Sequence, residues 1–220
     1  MALRISEQRM DVFLEMTQAP LPEHLERVRA AAADAGVPII RRPVQGLLKT
    51  LITYARPMSI LEIGTAVGFS ALLMREYAPK EARIVTMECD PERIRQAKEN
   101  FAAAGGAIEL ICGDAAQTLK DLTGPFDLIF LDAAKGQYPV LLPEIKRLLA
   151  PGGMLVTDNC LQDGDVLEPR FAVKRRDRTI HGRMREYLYE ICHDEELESC
   201  ILPLADGVSL SVRKSGADAD

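Results

Sequence analysis

Between Ser59 and Asp158 the chain alternates short apolar runs with amphipathic segments, and few folds accommodate that alternation. The strand-like runs lie at 59–63, 83–88, 107–112, 127–131 and 153–158. The run from Ile60 to Ile63 suits a strand covered on both faces. The intervening segments, 69–77, 91–104, 115–122 and 138–149, read as helices. Pro91 at a helix start and Gly105-Gly106 at its end match the terminal preferences of helices. Pro151-Gly152-Gly153 reads as a turn feeding the fifth strand. Strand–helix alternation implies parallel strands joined by right-handed crossovers, hence an open α/β sheet.

The first strand runs into Gly64-Thr65-Ala66-Val67-Gly68-Phe69-Ser70. Glycines between strand and helix let the backbone turn sharply and approach a ligand, and such turns build the nucleotide-type pocket at the carboxyl edge of an α/β sheet. They also occur as plain turns in α/β folds. The spacing is Gly-x-x-x-Gly rather than Gly-x-Gly-x-x-Gly, and no Gly-Lys-Ser/Thr is present, which disfavours NAD and ATP. A nucleoside ligand without phosphates remains. Glu88 ends the second strand, twenty residues after Gly68, placed to accept both hydroxyls of a ribose. Asp114 has two compatible readings, a contact to an adenine amino group and an N-cap for the helix starting at Ala115.

The densest chemistry follows the fourth and fifth strands, at Asp132-Ala133-Ala134-Lys135 and Asp158-Asn159. Neighbouring parallel strands place these residues side by side. Two carboxylates and an amide oxygen are hard donors suited to Mg²⁺ or another divalent cation. Lys135, three residues from the first donor, is a candidate general base. Taken singly, each residue also reads as a loop cap, a turn or a solvated lysine; the combination is what points to a site.

The flanks are simpler. Residues 5–17 and 21–36 read as two helices forming an N-terminal cap, 37–43 as an extended linker because of its prolines, and 44–55 as a third helix with Leu47, Leu48, Leu51 and Ile52 on one face. Residues 170–193 suggest a basic amphipathic helix. Ala205-Asp206-Gly207 between two β-rich runs suggests a hairpin, so the parallel sheet would end in an antiparallel pair. The tail 215–220 is small and polar and is expected to be disordered. The exposed face of the first helix, Ile5, Met10, Val12 and Phe13, suits a subunit contact or packing on the sheet.

At 220 residues and 47% apolar content, the whole chain, 1–220, fits one domain. A net charge of −6 argues against a nucleic-acid binder using its whole surface, though not against a local basic patch. No run has the length of a membrane span, and the early charges at Arg4 and Glu7 argue against a secretory leader. The five scattered cysteines include no C-x-x-C pair, so buried thiols in a reducing cytoplasm are expected rather than disulfides or zinc.

Taken together, Leu61–Ser70, Glu88, Gly113-Asp114-Ala115, Phe126–Lys135 and Thr157-Asp158-Asn159 resemble the cation-dependent O-methyltransferases of the catechol and caffeoyl-CoA type. The resemblance covers about Val37 to Lys214. It implies a Rossmann-like class I methyltransferase fold: α/β, with a seven-stranded, mostly parallel sheet, an antiparallel C-terminal hairpin and helices on both faces. It also implies S-adenosylmethionine as methyl donor and a cytoplasmic homodimer. By motif, Glu62, Gly64, Thr65, Gly68 and Ser70 would line the methionine end of that cofactor. Glu88 would hold the ribose, Asp114 and Ala115 would face adenine, and Ile40 and Asp132 would touch the cofactor. Asp132, Asp158 and Asn159 would hold Mg²⁺, and Lys135 with Asp132 would carry the catalysis. Where the family often has a second loop glycine, this chain has Ala66.

Within the group, Val37-Pro38-Ile39-Ile40, Asp132–Tyr138, Lys174-Arg175-Arg176-Asp177-Arg178 and Leu202–Gly207 resemble the bacterial tRNA 5-hydroxyuridine methyltransferases, which make 5-methoxyuridine at the wobble position. A 5-hydroxyuracil presents a hydroxyl and a carbonyl oxygen much as a catechol presents two oxygens. The resemblance makes tRNA the first candidate partner, with Arg42, Tyr138, Lys174, Arg175 and Arg176 as candidate substrate contacts. Tyr138 and Phe69 would stack on a flipped base, although Tyr138 reads equally as core. The basic run, with Arg183 and Arg185, reads equally as a solvated helix face. The alternatives are a catechol-type or hydroxycinnamoyl small molecule as acceptor, or a non-catalytic module that only binds the cofactor.

Overall fold

The computed structural model describes residues 7–105 and 107–216. The helices are α1 (Glu7–Thr17), α2 (Glu23–Asp34), α3 (Arg42–Ala55), α4 (Phe69–Tyr77), α5 (Pro91–Ala104), α6 (Ala115–Asp121), α7 (Tyr138–Leu148) and α8 (Arg178–His193). The strands are β1 (Ser59–Ile63), β2 (Arg83–Glu88), β3 (Glu109–Cys112), β4 (Phe126–Leu131), β5 (Leu149–Thr157), β6 (Leu197–Leu202) and β7 (Val208–Arg213). They form one sheet in the order β3-β2-β1-β4-β5-β7-β6. Neighbours from β3 to β5 are parallel, and β7 lies antiparallel between β5 and β6. The expected Rossmann-like fold, with its antiparallel terminal pair, is therefore present.

Both sheet faces are covered, which is why the strand runs do not alternate. Leu61, Ile63, Val85, Ile129, Leu131 and Leu155 face a core closed by α6, α7 and α8. Ile60, Ile84, Leu128, Phe130 and Val156 face a second core closed by α2 to α5. Each such fully buried side chain contributes about 1.5–3 kcal/mol, so a one-residue slip of β1 would exchange apolar residues for Glu62 and is strongly disfavoured.

Local boundaries differ from expectation where long-range pairing intervenes. β5 starts at Leu149, opposite Phe126, and crosses Pro151-Gly152-Gly153 with a register shift before Met154 pairs with Leu128. The expected turn is thus an irregularity inside a strand. β3 begins at Glu109 rather than 107. α3 begins two residues early, at Arg42, since Pro43 fits a first helical turn. α8 begins only at Arg178. Turns at Pro169–Ala172 and Lys174–Asp177 precede it, and His181 N–H donates to Asp177 O at 2.9 Å. Extending the helix back would place Lys174, Arg175 and Arg176 at its positive end, an unfavourable arrangement.

The cysteine expectation is corrected in part. All five thiols are free, but only Cys160 is buried and the other four are exposed. In α1, Met10, Val12 and Phe13 are exposed; Ile5 lies outside the described residues, as does the tail from 217 onward. Among the described residues, no helix is long and apolar enough to cross a membrane.

Candidate active site

β1 hydrogen-bonds to β2 on one side and β4 on the other. The chain therefore winds outward in both directions from β1, and the loops leaving β1 and β4 lead to helices on opposite faces of the sheet. This is where open α/β sheets bind ligands. A cleft of about 530 Å³ opens there, lined among others by Ile40, Gly64, Glu88, Asp114, Ala115, Asp132, Lys135, Asp158 and Asn159. Its volume suits a small-molecule ligand. A larger depression of about 720 Å³, between α7 and the end of α8, contains none of the predicted site residues.

One side of the cleft presents carboxylates fixed by backbone hydrogen bonds. The Glu88 carboxylate accepts the N–H groups of Cys89 at 2.8 Å, Asp90 at 3.0 Å and Ala66 at 2.9 Å, and is thereby fixed at the cleft wall. Asp114 caps α6, accepting Ala116 N–H at 2.8 Å, and also lines the cleft, so its two readings coexist. A narrow inward extension is lined by Thr65, Ser70 and Ile40. Thr65 Oγ1 is buried there beside the Glu62 carboxyl, without a well-formed hydrogen bond among the described residues. Ile40 is held by Gln45, whose buried amide donates to its carbonyl at 2.8 Å.

Two expected cofactor residues do not line the cleft. Glu62 lies beneath the loop, fully buried, and accepts the Thr86 hydroxyl. Burial pushes its carboxyl up to about 7, against the nearby hydroxyls of Ser70, Thr65 and Thr86. Gly68 caps α4 with φ of +86°, and a Cβ there would meet the Phe101 ring at 2.5 Å. Its missing side chain makes room for the protein's own core. Gly64 does line the cleft, but at φ of +96° its missing Cβ faces the Asp132 carbonyl, 2.4 Å away.

The other side gathers the hard donors. Asp132 N–H donates to Ile63 O and Asp158 N–H to Leu131 O, each at 3.0 Å, so each backbone extends its ladder by one step and fixes its side chain at the strand end. Asn159 adopts a left-handed φ of +57°, a conformation asparagine tolerates. Its amide donates to Asp132 Oδ1 at 3.0 Å, and its N–H to Asp158 Oδ1 at 2.7 Å. Burial raises the Asp132 carboxyl, opposed by Asn159 and Lys135. Burial and then the Asp132 charge push Asp158 up to about 7. Two buried carboxylates that destabilise each other's charge are what a divalent cation offsets. No group of three His, Cys, Asp or Glu comes together among the described residues, so the third donor would be the Asn159 amide oxygen after its amide turns. With that rotation, the donor set fits a hard cation.

Lys135 lines the cleft, and its ammonium pairs with Asp206 Oδ2 at 3.0 Å. The candidate substrate contacts fare less well. Tyr138 is fully buried, its hydroxyl donating to Asp158 O at 3.3 Å and its ring edge-on to Tyr187. Phe69 is core as well. Neither can stack on a base; both are helix positions that pack inward. Arg42 pairs with Glu26 at 3.5 Å, back toward α2. Lys174, Arg175 and Arg176 are exposed on the segment before α8, outside the cleft lining. Arg183 and Arg185 instead donate to Gly136 O at 2.7 Å and Val166 O at 2.8 Å.

Three residues escaped the sequence reading. Arg93, in the first turn of α5, lines the cleft beside Glu88; its position just after a strand-end acid was the available signal. Phe171, 81% exposed, stands next to Arg170 and three residues before the basic run. Asp206 was read only as part of a turn.

A family model described as O-methyltransferase matches residues 15–214. A catechol O-methyltransferase of Niastella koreensis is 38% identical over 144 residues, covering 62% of this chain and 65% of that protein. Among solved structures, the S-adenosylhomocysteine-bound Podospora anserina methyltransferase PaMTH1 superposes with a TM-score of 0.83 at 28% identity, covering 97% of this chain and 99% of that one. The Streptomyces achromogenes O-methyltransferase TomG, involved in tomaymycin synthesis and solved with S-adenosylmethionine, gives a TM-score of 0.82 at 26% identity, covering 96% and 100%.

Proposed function

Because this chain belongs to the O-methyltransferase family, we propose that its cleft binds S-adenosylmethionine and a divalent cation, Mg²⁺ by preference, and methylates a hydroxyl adjacent to a second oxygen. The observation that carries the reading is convergence: Glu88 and Asp114 line one side of a cleft whose other side presents Asp132, Asp158, Asn159 and Lys135.

S-adenosylmethionine supplies an electrophilic methyl on a sulfonium. A cation held by Asp132, Asp158 and Asn159 supplies Lewis acidity toward the acceptor oxygens. Glu88 orients the ribose, Asp114 and Ala115 border the adenine, and Thr65 Oγ1 and Ser70 meet polar atoms at the methionine end. Ile40 closes the cleft from the linker side. Lys135, whose ammonium would first have to release a proton to solvent, would then take the acceptor's hydroxyl proton on Nζ as the acceptor oxygen bonds the methyl and the sulfonium sulfur leaves as a thioether. Holding both reactants in line supplies most of the acceleration, since the transfer itself needs only alignment and one proton acceptor.

For the acceptor, we favour 5-hydroxyuridine at the tRNA wobble position, giving 5-methoxyuridine. The support is the set of exposed cations Arg170, Lys174, Arg175 and Arg176 before α8, with the exposed Phe171 next to Arg170; they join the cleft through α8, whose Arg183 grips Gly136 beside Lys135. A second reading, a catechol-type acceptor, is favoured by the name of the Niastella relative. A cytoplasmic homodimer completes the proposal, with the exposed face of α1 as its contact.

The test incubates the protein and S-adenosylmethionine, with Mg²⁺ or a chelator, against tRNA from cells lacking 5-methoxyuridine and against a diphenol. Mass spectrometry should find Mg²⁺-stimulated 5-methoxyuridine. Methylated diphenol without modified tRNA would overturn the tRNA assignment. Transfer to neither acceptor would favour a module that binds the cofactor without turnover.

A further inference from the structure

The β6–β7 hairpin ends in Ala205-Asp206-Gly207, and this tip is mounted on the site. Gly207 O accepts Cys160 N–H at 3.0 Å and Asp206 O accepts Leu161 N–H at 2.8 Å. The Asp206 carboxylate, only 5% exposed, accepts Asp163 N–H on Oδ1 and the Lys135 ammonium on Oδ2. The loop it grips begins with the candidate cation donors. In it Asn159, Gln162 and Asp163 all have left-handed backbone, with φ of +57°, +53° and +50°. L residues adopt that conformation at a cost, so something outside the loop must hold it. The tip supplies three hydrogen bonds to that end. Gly207 completes the device: at φ of +83°, a Cβ would lie 2.3 Å from Leu161 Cγ. Asp163 in turn reaches Arg41 of the linker at 3.4 Å, beside Ile40.

We propose that Asp206 is a positioning residue of the active site: one carboxylate aims the Lys135 amine into the cleft and locks the loop that carries Asp158 and Asn159. The proposal rests on Lys135 as the proton acceptor, the role given to it under the proposed function. Asp206 then occupies the place of the third group in a nucleophile–base–orienter chain, a buried acid that fixes the direction of the amine. The hairpin explains why such an acid comes from the far end of the chain. β7 is inserted beside β5, and its entry loop therefore abuts the loop leaving β5.

Lysine labelling with an acetylating reagent, read by mass spectrometry on the metal-free protein, tests the first half without turnover. Asp206→Asn should speed acetylation of Lys135 several-fold while leaving Lys120 unchanged. An unchanged Lys135 rate would overturn the proposal. Loop locking is read from the Mg²⁺-induced rise in Tm, which Asp206→Asn should reduce; an unreduced rise would overturn that half. Kinetics of Asp206→Asn, Lys135→Ala and the double variant at saturating Mg²⁺ test action through Lys135. Asp206→Asn should lower kcat at least tenfold with little change in KM for S-adenosylmethionine, and in the double variant it should cost nothing beyond Lys135→Ala, because residues acting as a unit are non-additive. Independent, multiplying losses would show that Asp206 does not act through Lys135. Asp206→Glu, which keeps the charge, should recover part of kcat; recovery no better than Asn would count against the charge-based role. A Lys135→Ala protein with wild-type turnover would instead refute the base assignment, while the labelling result would still decide whether Asp206 holds the amine.

Discussion

Asn159 donates its side-chain amide to Asp132 Oδ1 across the ends of β4 and β5, at 3.0 Å. The amide thus offsets part of the cost of burying the charge on Asp132. A divalent cation would do the same more fully and would let the amide turn its oxygen inward. Mg²⁺ is therefore expected to raise Tm at pH 8, by about 2.7 kcal/mol of stability at a hundred times its Kd. Asp158→Asn should abolish that response and raise the stability of the metal-free protein, since it removes one of two like charges. Thermal melts with and without Mg²⁺ measure both; a variant that still responds to Mg²⁺ would remove Asp158 from the donor set.

Gly64 and Gly207 both have positive φ, yet their substitution by alanine should differ in cost. At Gly64 the new Cβ meets backbone, the Asp132 carbonyl at 2.4 Å, which cannot move without dragging the end of β4. At Gly207 it meets Leu161 Cγ and also Leu161 Cβ, which no rotamer change moves, so relief requires a shift of the loop after β5, an easier movement than displacing a strand end. Gly64→Ala is expected to lose on the order of 2–4 kcal/mol and Gly207→Ala roughly 1–2 kcal/mol. Urea midpoints at equal slope would show the order, and equal losses would contradict it.

The two glycines also mark where the sequence is legible and where it is not. β1, β2, α4 and α5 have the ends expected of them, because glycine, proline and the strand-end acid punctuate locally. Glu88, Asp114, Asp132, Lys135, Asp158 and Asn159 converge as expected because carboxyl ends of parallel strands share one edge. Packing between distant segments is what local pattern misses. Gly64 and Gly68 read as room for a ligand, whereas Asp132 and Phe101 fill that room. β5 begins early because Leu149 finds Phe126. Asp206 looks like turn chemistry until β7 inserts beside β5 and brings it to Lys135.

Glu62 gives the protein a pH dependence of definite sign. Burial raises its carboxyl to about 7 in the folded state, against about 4.3 when unfolded. Between those values the folded chain holds a proton the unfolded chain has released. Stability is therefore fully present below about pH 4 and is lost as pH rises toward 7. Asp158, also at about 7 in the metal-free protein, adds to the same slope. Glu62→Gln keeps the shape and an acceptor for Thr86 but cannot ionise. It should match the wild type near pH 4 and exceed it at pH 8 by on the order of a few kcal/mol, since each tenfold difference in proton affinity is worth about 1.4 kcal/mol. A variant less stable than wild type at pH 8 would mean that the ionised carboxylate is stabilising.

The cationic segment before α8 separates the two acceptor readings. Lys174, Arg175 and Arg176 are exposed, so reversing their charge should leave Tm unchanged. If they neutralise tRNA phosphates, the Lys174→Glu, Arg175→Glu, Arg176→Glu variant should lose at least tenfold in kcat/KM for tRNA. Its salt dependence should flatten by roughly 0.7 for each phosphate left without its cation. Phe171→Ala should lose about 1–3 kcal/mol of RNA binding if the exposed ring stacks on a base. Turnover of a diphenol should be unaffected by either change. Arg183→Glu is the contrasting control, because that guanidinium donates to Gly136 O at 2.7 Å and supports the turn beside Lys135. Its loss should lower kcat for both acceptors. Equal activity on tRNA before and after charge reversal would leave the segment as a solvated surface and shift the assignment to the small-molecule acceptor.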